Sequence, residues 1–194
     1  FFKDKSILEI GCGGGLLSSY LFRKGYDITA IEPHMSGFGG LRNVANTVMK
    51  MNTRFKILDT NIEEFQLDRK FDLIFSINVL EHVNDFKKFI DSSMKLVKSN
   101  GIIVILCPNY SFPYEGHFNI PIIINKEITY RIFRRHIDNV HKHINWDSKE
   151  CWDSLNWVSA NKIIKHCDVN NYTFDFDKMI TKRLFERMSY DNFI

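Results

Sequence analysis

The residues of this sequence whose types and spacing best suit chemistry begin with four glycines in five positions. Residues 11–15 read Gly-Cys-Gly-Gly-Gly and follow an apolar segment, Ile7–Ile10, that contains one acid, Glu9. Because glycine has no Cβ, it tolerates positive φ and lets a ligand approach the backbone. The pattern predicts a strand, a tight turn and a helix start, whose free N–H groups can face a ligand. We expect a nucleotide-binding turn here.

Polar residues also follow two other apolar segments. Glu32 ends the segment 26–32, immediately before Pro33, and the segment 71–77 leads into residues 78–82, which read Asn-Val-Leu-Glu-His. A dinucleotide fingerprint needs G-x-G-x-x-G and an acid about 20 residues further on. The glycine run and Glu32 fit loosely, but Leu16 stands where the last glycine or alanine belongs. An NAD-dependent oxidoreductase therefore stays open as an alternative, against which Leu16 and Glu9 argue.

The elements that position these residues alternate between strand-like and helix-like patterns. Apolar, β-rich runs predict strands at 7–10, 26–32, 54–58, 71–77 and 102–107. Helical spacing predicts helices at 16–24, 41–51 and 85–98, the first with Leu16, Leu17, Tyr20 and Leu21 on its apolar face. Five such alternations predict an α/β fold with a doubly wound, mostly parallel, Rossmann-like sheet and helices on both faces. Ligands bind such sheets at the carboxyl ends of the strands.

The pattern changes after Pro108. Residues 109–150 are rich in aromatic residues, histidine, arginine and isoleucine and show no alternation, so we expect an inserted lobe or lid on the substrate side. A helix is predicted at 154–166, a sixth strand at 172–176 and a last helix at 182–188. We expect one domain over 1–194, trimmed at both ends, because Phe1 lies close to the first strand and residue 194 follows no terminating element.

Length and composition restrict the classes of function. The 194 residues carry a net charge of +3, which does not demand a nucleic-acid or membrane partner. No apolar run reaches the ~20 residues that a spanning helix needs, and no signal-peptide pattern is seen. The four cysteines form no C-x-x-C pair, which favours free thiols. We expect a cytoplasmic protein without membrane insertion.

Taken together, these segments resemble the motifs of class I S-adenosylmethionine-dependent methyltransferases. The matching segments are residues 7–15 (ILEIGCGGG), 30–33 (AIEP), 71–76 (FDLIFS) and 78–83 (NVLEHV). The resemblance covers about residues 5–108 and says little about the lobe. It implies a Rossmann-like fold, S-adenosylmethionine as cofactor and methyl transfer to an acceptor.

The resemblance implies roles for the glycine turn and for two acids. Gly11 and Gly13 are expected to contact the methionine part of the cofactor through their backbone. Glu9 is expected to hold the turn and the amino group of the ligand, and Glu32 to accept hydrogen bonds from both ribose hydroxyls. Cys12 is counted among the cofactor-binding positions as a small residue that fills the turn, not as a nucleophile.

The resemblance also implies contacts after the third and fourth strands. Asn61 and Ile62 are aligned with the positions near the adenine, although Asp59 competes for that assignment. Asn78 and Val79 are expected to meet the methionine end of the cofactor.

Histidines are the candidates for catalysis. His117 should emerge just past the fifth strand, near the transferred methyl group, and suits a general base at neutral pH. His82 is the second candidate, with helix capping as the alternative explanation for its position. His141 and His143 could suggest a metal, but no cysteine or acid stands at ligand-like spacing, so no metal is expected.

The predicted function is methyl transfer from S-adenosylmethionine to an oxygen or nitrogen of a small molecule, such as a sugar, a lipid or another metabolite. Arg131, Arg134 and Arg135, with neighbouring aromatic residues, leave an RNA methyltransferase open as a variant. An inactive, methyltransferase-like partner subunit is a further alternative. The sequence does not predict an oligomeric state.

Overall fold

A computed structural model describes residues 4–33, 39–141 and 147–177 of the protein. The strands are β1 (Ser6–Ile10), β2 (Asp27–Ile31), β3 (Ile57–Leu58), β4 (Phe71–Ile77), β5 (Val97–Leu106), β6 (Tyr114–Glu115) and β7 (Ile120–Pro121). The helices are α1 (Leu16–Arg23), α2 (Gly39–Met51), α3 (Phe86–Leu96), α4 (Lys126–Ile137), α5 (Ser148–Ser154) and α6 (Ala160–Val169).

Five of the strands form one parallel sheet in the order β3-β2-β1-β4-β5. β1 lies in the middle, where Ile7 pairs with Ile28 of β2 on one side and with Leu73 of β4 on the other. β2 and β3 follow one another outward on one side of β1, and β4 and β5 follow one another outward on its other side. Since crossovers between parallel strands are right-handed, this arrangement places helices on both faces of the sheet. The predicted doubly wound fold is confirmed.

Burial of the central strands explains their sequence. Ile7, Leu8 and Ile10 of β1 are at most 4% exposed, and Ala30 and Ile31 of β2 are fully buried. Strands covered on both faces need near-continuous apolar runs. Runs of that kind in the sequence therefore predicted the centre of the sheet well.

The prediction for the buried face of α1 is wrong. Leu16 and Tyr20 are 67% and 56% exposed, whereas Ser18 and Ser19 are the buried residues of the helix. The hydroxyl of Ser18 donates a hydrogen bond to the Glu9 carboxylate of β1. A small polar residue faces the strand because a buried acid there needs a donor.

The boundary between α3 and β5 also differs from the prediction. The helix ends at Leu96, and strand pairing already begins at Val97, opposite Phe71. The register then shifts, so that Ile102 pairs with Leu73. The intervening residues 98–101 form an irregularity of the bulge type, which extends the strand beyond the predicted 102–107. Strand β3 is shorter than predicted and comprises only two residues.

The segment predicted as a lobe has its own small core. The antiparallel pair β6–β7 is followed by α4 and α5. Buried side chains from these elements pack together: Phe118, Ile120, Ile137, Cys151, Trp152 and Leu155. The rings of Phe118 and Trp152 make an edge-to-face contact with centroids 5.4 Å apart. Aromatic packing, not sheet extension, holds this lobe together.

The predicted helix at 154–166 is interrupted. α5 ends at Ser154 and α6 begins at Ala160, while Trp157 between them has φ +49°. The Asn156 side-chain amide donates to the carbonyl oxygens of Leu80 and Val83, at 2.7 and 2.8 Å. These bonds give the segment 155–159 a non-helical path that helical spacing of its apolar residues does not reveal.

The chain divides into two compact units, residues 1–160 and 161–194, of which the first contains the sheet and the lobe. Residues 172–177 contain no strand, so the prediction of a sixth strand at 172–176 is wrong. The predicted helix at 182–188 lies outside the described residues, and the prediction of a single domain remains untested. Among the described helices, none is long and apolar enough to cross a membrane.

We expect Trp152→Ala to lower the free energy of unfolding by about 3–5 kcal/mol, because the indole is 2% exposed and its removal leaves a cavity in the lobe core. Urea unfolding monitored by circular dichroism measures this change. The matched control is Phe112→Ala, since Phe112 is 69% exposed and its loss should cost less than about 0.5 kcal/mol. Equal effects of the two substitutions would contradict this account of the lobe core.

Candidate functional site

The glycine turn is fixed to the end of β2. The N–H groups of Gly11 and Cys12 both donate to the carbonyl oxygen of Ile31, at 2.9 and 3.1 Å. The turn closes when Gly15 N–H donates to the carbonyl oxygen of Cys12, and α1 begins at Leu16. The N-cap residue Gly15 has no side chain to cap α1, and in the first turn of the helix the backbone N–H of Ser18 donates to the Glu9 carboxylate.

Position 11 requires glycine for two reasons, its backbone conformation and its close contact with Val79. Its φ is +70°, and a Cβ built there would lie 2.3 Å from Cγ2 of Val79. Val79 follows β4, where Asn78 has φ +55° and donates its N–H to the carbonyl oxygen of Leu106 at 2.8 Å. The structure thus places the predicted residues Asn78 and Val79 beside the glycine turn.

Glu32 also lies against the turn. Its carboxylate accepts a hydrogen bond from Gly13 N–H at 2.7 Å, and its own N–H donates to the carbonyl oxygen of Leu58. Gly13 is partly exposed, and among the described residues a Cβ built there would meet only Leu41, at 3.5 Å. A carboxylate beside an open backbone turn suits a ligand with hydroxyl or ammonium donors.

Glu9 lies behind the turn. It is 6% exposed, and burial raises the pKa of its carboxyl group, partly offset by the hydrogen bond from Ser18. Burial likewise raises the pKa of the Cys12 thiol, so the thiol stays protonated at neutral pH. Cys12 therefore lacks the lowered pKa of a reactive cysteine. Glu9 connects the end of β1 to α1 through Ser18.

The residues predicted near the adenine follow β3. The side-chain oxygen of Asn61 accepts a hydrogen bond from Glu64 N–H at 2.8 Å, and Ile62 is 2% exposed. Asn61 thus closes a local turn, which is a common role for this residue type. Its contact with adenine, and the competing assignment to Asp59, remain predictions.

The predicted catalytic histidines converge with two buried acids. His117 Nδ1 lies 2.7 Å from Oε1 of Glu115, and His117 Nε2 lies 3.9 Å from Oε1 of Glu81. The rings of His82 and His117 meet edge to face, with centroids 5.2 Å apart. Glu81 and Glu115 are both 0% exposed. We refer to Glu81, His82, Glu115 and His117 as the acid–histidine cluster.

The two histidines differ in basicity. Burial and the nearby charge of His117 lower the pKa of His82 to about 4, so His82 is neutral at physiological pH. Burial alone would also lower the pKa of His117. The hydrogen bond with Glu115 and the charges of Glu115 and Glu81 outweigh burial and raise the pKa of His117. His117 is therefore the stronger base of the two.

The sequence indicated the members of the acid–histidine cluster as separate segments and not as one cluster. The dipeptide Glu81-His82 follows β4, while Glu115 and His117 belong to the lobe, more than 30 residues later. Only the lobe fold brings them together. Within the lobe, His141 donates or accepts at Nε2 with the carbonyl oxygen of His117, at 3.0 Å. His143 lies outside the described residues.

The basic residues Arg131, Arg134 and Arg135 lie on α4. Arg134 pairs with Asp138 at 3.4 Å, and its side chain is 71% exposed. This helix-surface pairing is typical of a solvated helix face.

Comparison with known proteins places the chain in a family. A family model described as a methyltransferase domain matches residues 1–159. The uncharacterized protein Rv1509 of Mycobacterium tuberculosis (strain ATCC 25618 / H37Rv) is 39% identical over 160 residues, which are 81% of this chain and 54% of that protein. The mitochondrial ubiquinone biosynthesis O-methyltransferase of Schizosaccharomyces pombe is 36% identical over 104 residues, 54% of this chain and 38% of that protein.

Two solved structures are similar to part of this chain. The CcbJ methyltransferase from Streptomyces caelestis has a TM-score of 0.48 and 17% identity, covering 58% of this chain and 46% of that one. An S-adenosylmethionine-dependent methyltransferase from Clostridium acetobutylicum has a TM-score of 0.46 and 20% identity, covering 56% and 44%. The chain spans about half the length of the Mycobacterium relative.

We expect Gly11→Ala to destabilise the protein more than an alanine at another glycine with positive φ. Alanine at positive φ costs about 1–2 kcal/mol, and at Gly11 the methyl group also collides with Val79. Gly25→Ala isolates the first effect, because Gly25 has φ +85° and a Cβ there meets no described atom within 4 Å. Urea unfolding and calorimetry with S-adenosylhomocysteine measure both consequences.

Gly116→Ala is the neutral control for this series, since it has neither a positive φ nor a described neighbour within 4 Å of its Cβ. The expected order of the free energy of unfolding is Gly116→Ala highest, Gly25→Ala next and Gly11→Ala lowest. Unchanged stability and ligand affinity in Gly11→Ala would remove Gly11 from the site.

Proposed function

Because this chain belongs to the methyltransferase domain family, we propose that it transfers a methyl group from S-adenosylmethionine to a hydroxyl oxygen of a small molecule. The family, the Rossmann-like fold and the predicted cofactor class are confirmed. The acceptor, the residues that bind each partner and the activity of the whole protein are our proposal.

The residues around the glycine turn suit this cofactor. When bound, S-adenosylmethionine supplies a methyl group on a positively charged sulfur, from which it passes to the acceptor as the carbon–sulfur bond breaks. Glu32 would accept hydrogen bonds from the ribose hydroxyls, and the backbone of Gly11 and Gly13 would contact the methionine part. Asn78 and Val79 would line the same part from the β4 side. Glu9, through Ser18, would hold the turn in place.

The observation that carries the proposal is the position of the acid–histidine cluster next to this turn. Val79 touches Gly11, and the N–H of His82 donates to the carbonyl oxygen of Val79 at 2.8 Å. Glu81 is therefore two residues from the contact with the cofactor turn. In the proposed function, these groups, which can exchange protons, would lie near the methyl group of the bound cofactor.

A hydroxyl acceptor makes use of such groups. A hydroxyl oxygen is a weak nucleophile until its proton is removed, because its pKa is about 10 even in a phenol. A neutral amine already offers a lone pair and gains less from a base. The buried cluster therefore favours transfer to oxygen over transfer to nitrogen, and the protein's main further task is alignment of donor and acceptor.

Within the cluster we assign the proton acceptor to His117. The hydroxyl of Ser154 lies 2.8 Å from His82 Nδ1, and the low pKa of His82 makes it a poor base. His117 is held by Glu115, which raises its pKa, and its side chain is 22% exposed and so within reach of an acceptor. His82 would act as a positioning residue. The proton of the hydroxyl would pass to Nε2 of His117 as the oxygen–methyl bond forms.

A relative supports oxygen as the accepting atom. The S. pombe protein that shares 36% identity over 104 residues is named an O-methyltransferase. That match covers 54% of this chain and 38% of that protein, and not the whole of either. It therefore supports the class of acceptor and not the identity of the acceptor.

The proposal predicts turnover with hydroxyl acceptors and not with amines. A panel of phenols, sugars and hydroxylated lipid headgroups, with matched amines, is incubated with S-adenosylmethionine, and release of S-adenosylhomocysteine is measured. Glu32→Ala should bind S-adenosylhomocysteine at least about tenfold more weakly in calorimetry, since a hydrogen bond to a charged group contributes about 1.5–3 kcal/mol.

Glu63→Ala is the control for Glu32→Ala, because Glu63 is exposed and follows the same sheet edge. Its affinity should not change. Binding of NAD in place of S-adenosylhomocysteine would contradict the proposed function, and turnover confined to amines would contradict the proposed acceptor.

The assignment of His117 as the base predicts how kcat/KM for a hydroxyl acceptor depends on pH. The measurement is made with EDTA present, so that no metal ion contributes to the reaction. A base acts only when unprotonated, so kcat/KM should rise with pH and level off above the pKa of His117. Since the pKa of His117 is raised, the midpoint should lie above the ordinary histidine value of 6.5.

Glu115→Gln removes a cause of that increase and should move the midpoint to lower pH. His117→Gln should lower kcat by about 10²–10⁴ and abolish this dependence; a profile identical to wild type would remove His117 from catalysis.

A further inference from the structure

Two fully buried carboxylates lie in the acid–histidine cluster, and their surroundings differ. Glu115 accepts hydrogen bonds from His117 Nδ1, from the Tyr110 hydroxyl at 3.1 Å and from Phe118 N–H at 2.9 Å. In contrast, neither oxygen of the Glu81 carboxylate has a hydrogen-bond partner among the described residues. A buried carboxylate without partners is strongly unfavourable. Burial raises the pKa of the Glu81 carboxyl group, so a cation beside it would stabilise its ionised form.

When it is neutral, the ring of His117 presents a nitrogen lone pair toward Glu81. Glu115 can only accept when ionised, so His117 donates from Nδ1 to Glu115. In the neutral ring the lone pair then lies on Nε2, 3.9 Å from Glu81 Oε1. That separation is too long for a hydrogen bond. Two acceptor atoms therefore face each other across a gap.

The hydrogen bonds of Ser154 fix the tautomer of His82 in the same way. The single hydroxyl proton of Ser154 is donated to the carbonyl oxygen of Cys151 at 2.8 Å. The contact between Ser154 Oγ and His82 Nδ1, at 2.8 Å, must then be donated by His82. Neutral His82 consequently carries its lone pair on Nε2.

Three side chains of the cluster converge. One ligand atom from each of Glu81, His82 and His117 lies within 4.8 Å of the others. Each histidine donates its other ring N–H, one to a carboxylate and one to a hydroxyl, which is the arrangement that orients metal-binding histidines. Ligand atoms that each lie about 2.1 Å from a cation are about 3.5 Å from one another. Side-chain rotations that move these atoms by about 1 Å would therefore complete the site. The exposed edge of His117 gives access.

From this arrangement we propose that Glu81, His82 and His117 bind a divalent transition-metal cation, with Glu115 and Ser154 orienting the two histidines. Two imidazoles and one carboxylate favour Zn²⁺, Mn²⁺, Fe²⁺ or Co²⁺ over Mg²⁺, which prefers oxygen ligands and water. Three protein ligands leave coordination positions open for an acceptor.

The cation site rests on the proposed function and refines it. A hydroxyl oxygen bound to the cation would lose its proton more readily, as metal-bound water does. In the cation-bound protein His117 is then a ligand, and the proton leaves to solvent water rather than to His117. The reaction with EDTA present would use His117 as base, and added cation would accelerate it.

The direct test is a titration of the protein with Co²⁺, followed by its visible absorption and by calorimetry, without cofactor or acceptor. We expect one Co²⁺ per chain and displacement by Zn²⁺ but not by Mg²⁺ at equal concentration. Glu81→Gln keeps the shape of the side chain and removes its charge, and it should weaken Co²⁺ binding at least 100-fold. Glu115→Gln, which touches His117 and not the cation, should weaken it about 10–100-fold.

Two variants outside the cluster are matched controls. Glu127→Gln changes an exposed acid at the start of α4, and His166→Gln changes a histidine of α6. Neither should alter Co²⁺ affinity. Calorimetry with S-adenosylhomocysteine shows whether Glu81→Gln remains folded, since the cofactor turn should bind with unchanged affinity.

Absence of bound Co²⁺ in the wild-type protein, or wild-type affinity in Glu81→Gln, would overturn the cation site. Different results would reject the proposed hydroxyl acceptor. Co²⁺ binding at the cluster with turnover confined to amines would retain the site and reject the hydroxyl acceptor. Hydroxyl turnover that neither EDTA nor added cation changes, with no Co²⁺ bound, would retain the acceptor and reject the site.

Discussion

The pairing of β1 between β2 and β4 is the constraint on which the rest of the structure depends. Because both neighbours run parallel to β1, their carboxyl ends meet at one edge. The shared carbonyl oxygen of Ile31, which accepts from Gly11 and Cys12, fixes the glycine turn to that edge. Glu32 and residues 78–82 come to the turn only because the strands that precede them are held in this order.

The second constraint is the burial of charge. Three acids of the site are almost fully buried, and they differ in the hydrogen-bond donors around them. Glu9 has the Ser18 hydroxyl, Glu115 has three donors, and Glu81 has no hydrogen-bond donor among the described residues. Since leaving one buried acceptor unpaired is unfavourable by about 1–3 kcal/mol or more, the difference between Glu81 and its neighbours is functional in our interpretation and not a packing accident.

The sequence predicted the sheet and the glycine turn well, because both depend on local patterns. Continuous apolar runs indicate strands covered on both faces, and a glycine run indicates a turn with positive φ. The prediction failed where a tertiary contact overrides the local pattern. The buried face of α1 follows the need of Glu9 for a donor, so Ser18 faces inward and Leu16 outward.

The break at 155–159 and the acid–histidine cluster could not be predicted for the same reason. Helical spacing of Leu155 and Val158 indicated a helix, but both side chains are buried in a non-helical segment. The convergence of Glu81 with His117 depends on a lobe whose core consists of aromatic contacts between residues far apart in sequence. The periodicity of a sequence does not reveal such contacts. The four residues of the acid–histidine cluster therefore appeared as two unrelated segments, 81–82 and 115–117.

The same segment explains how the lobe could set the acceptor without disturbing the cofactor turn. Asn156 donates from its side chain to the carbonyl oxygens of Leu80 and Val83, and from its backbone to that of Glu81. The lobe is therefore bonded directly to the backbone that carries Glu81 and His82. Substitutions in the lobe would act on the cluster through these bonds, whereas the glycine turn is held separately by β2. In the proposed function, acceptor choice and cofactor binding would thus rest on two different sets of contacts, which meet at Val79 among the described residues.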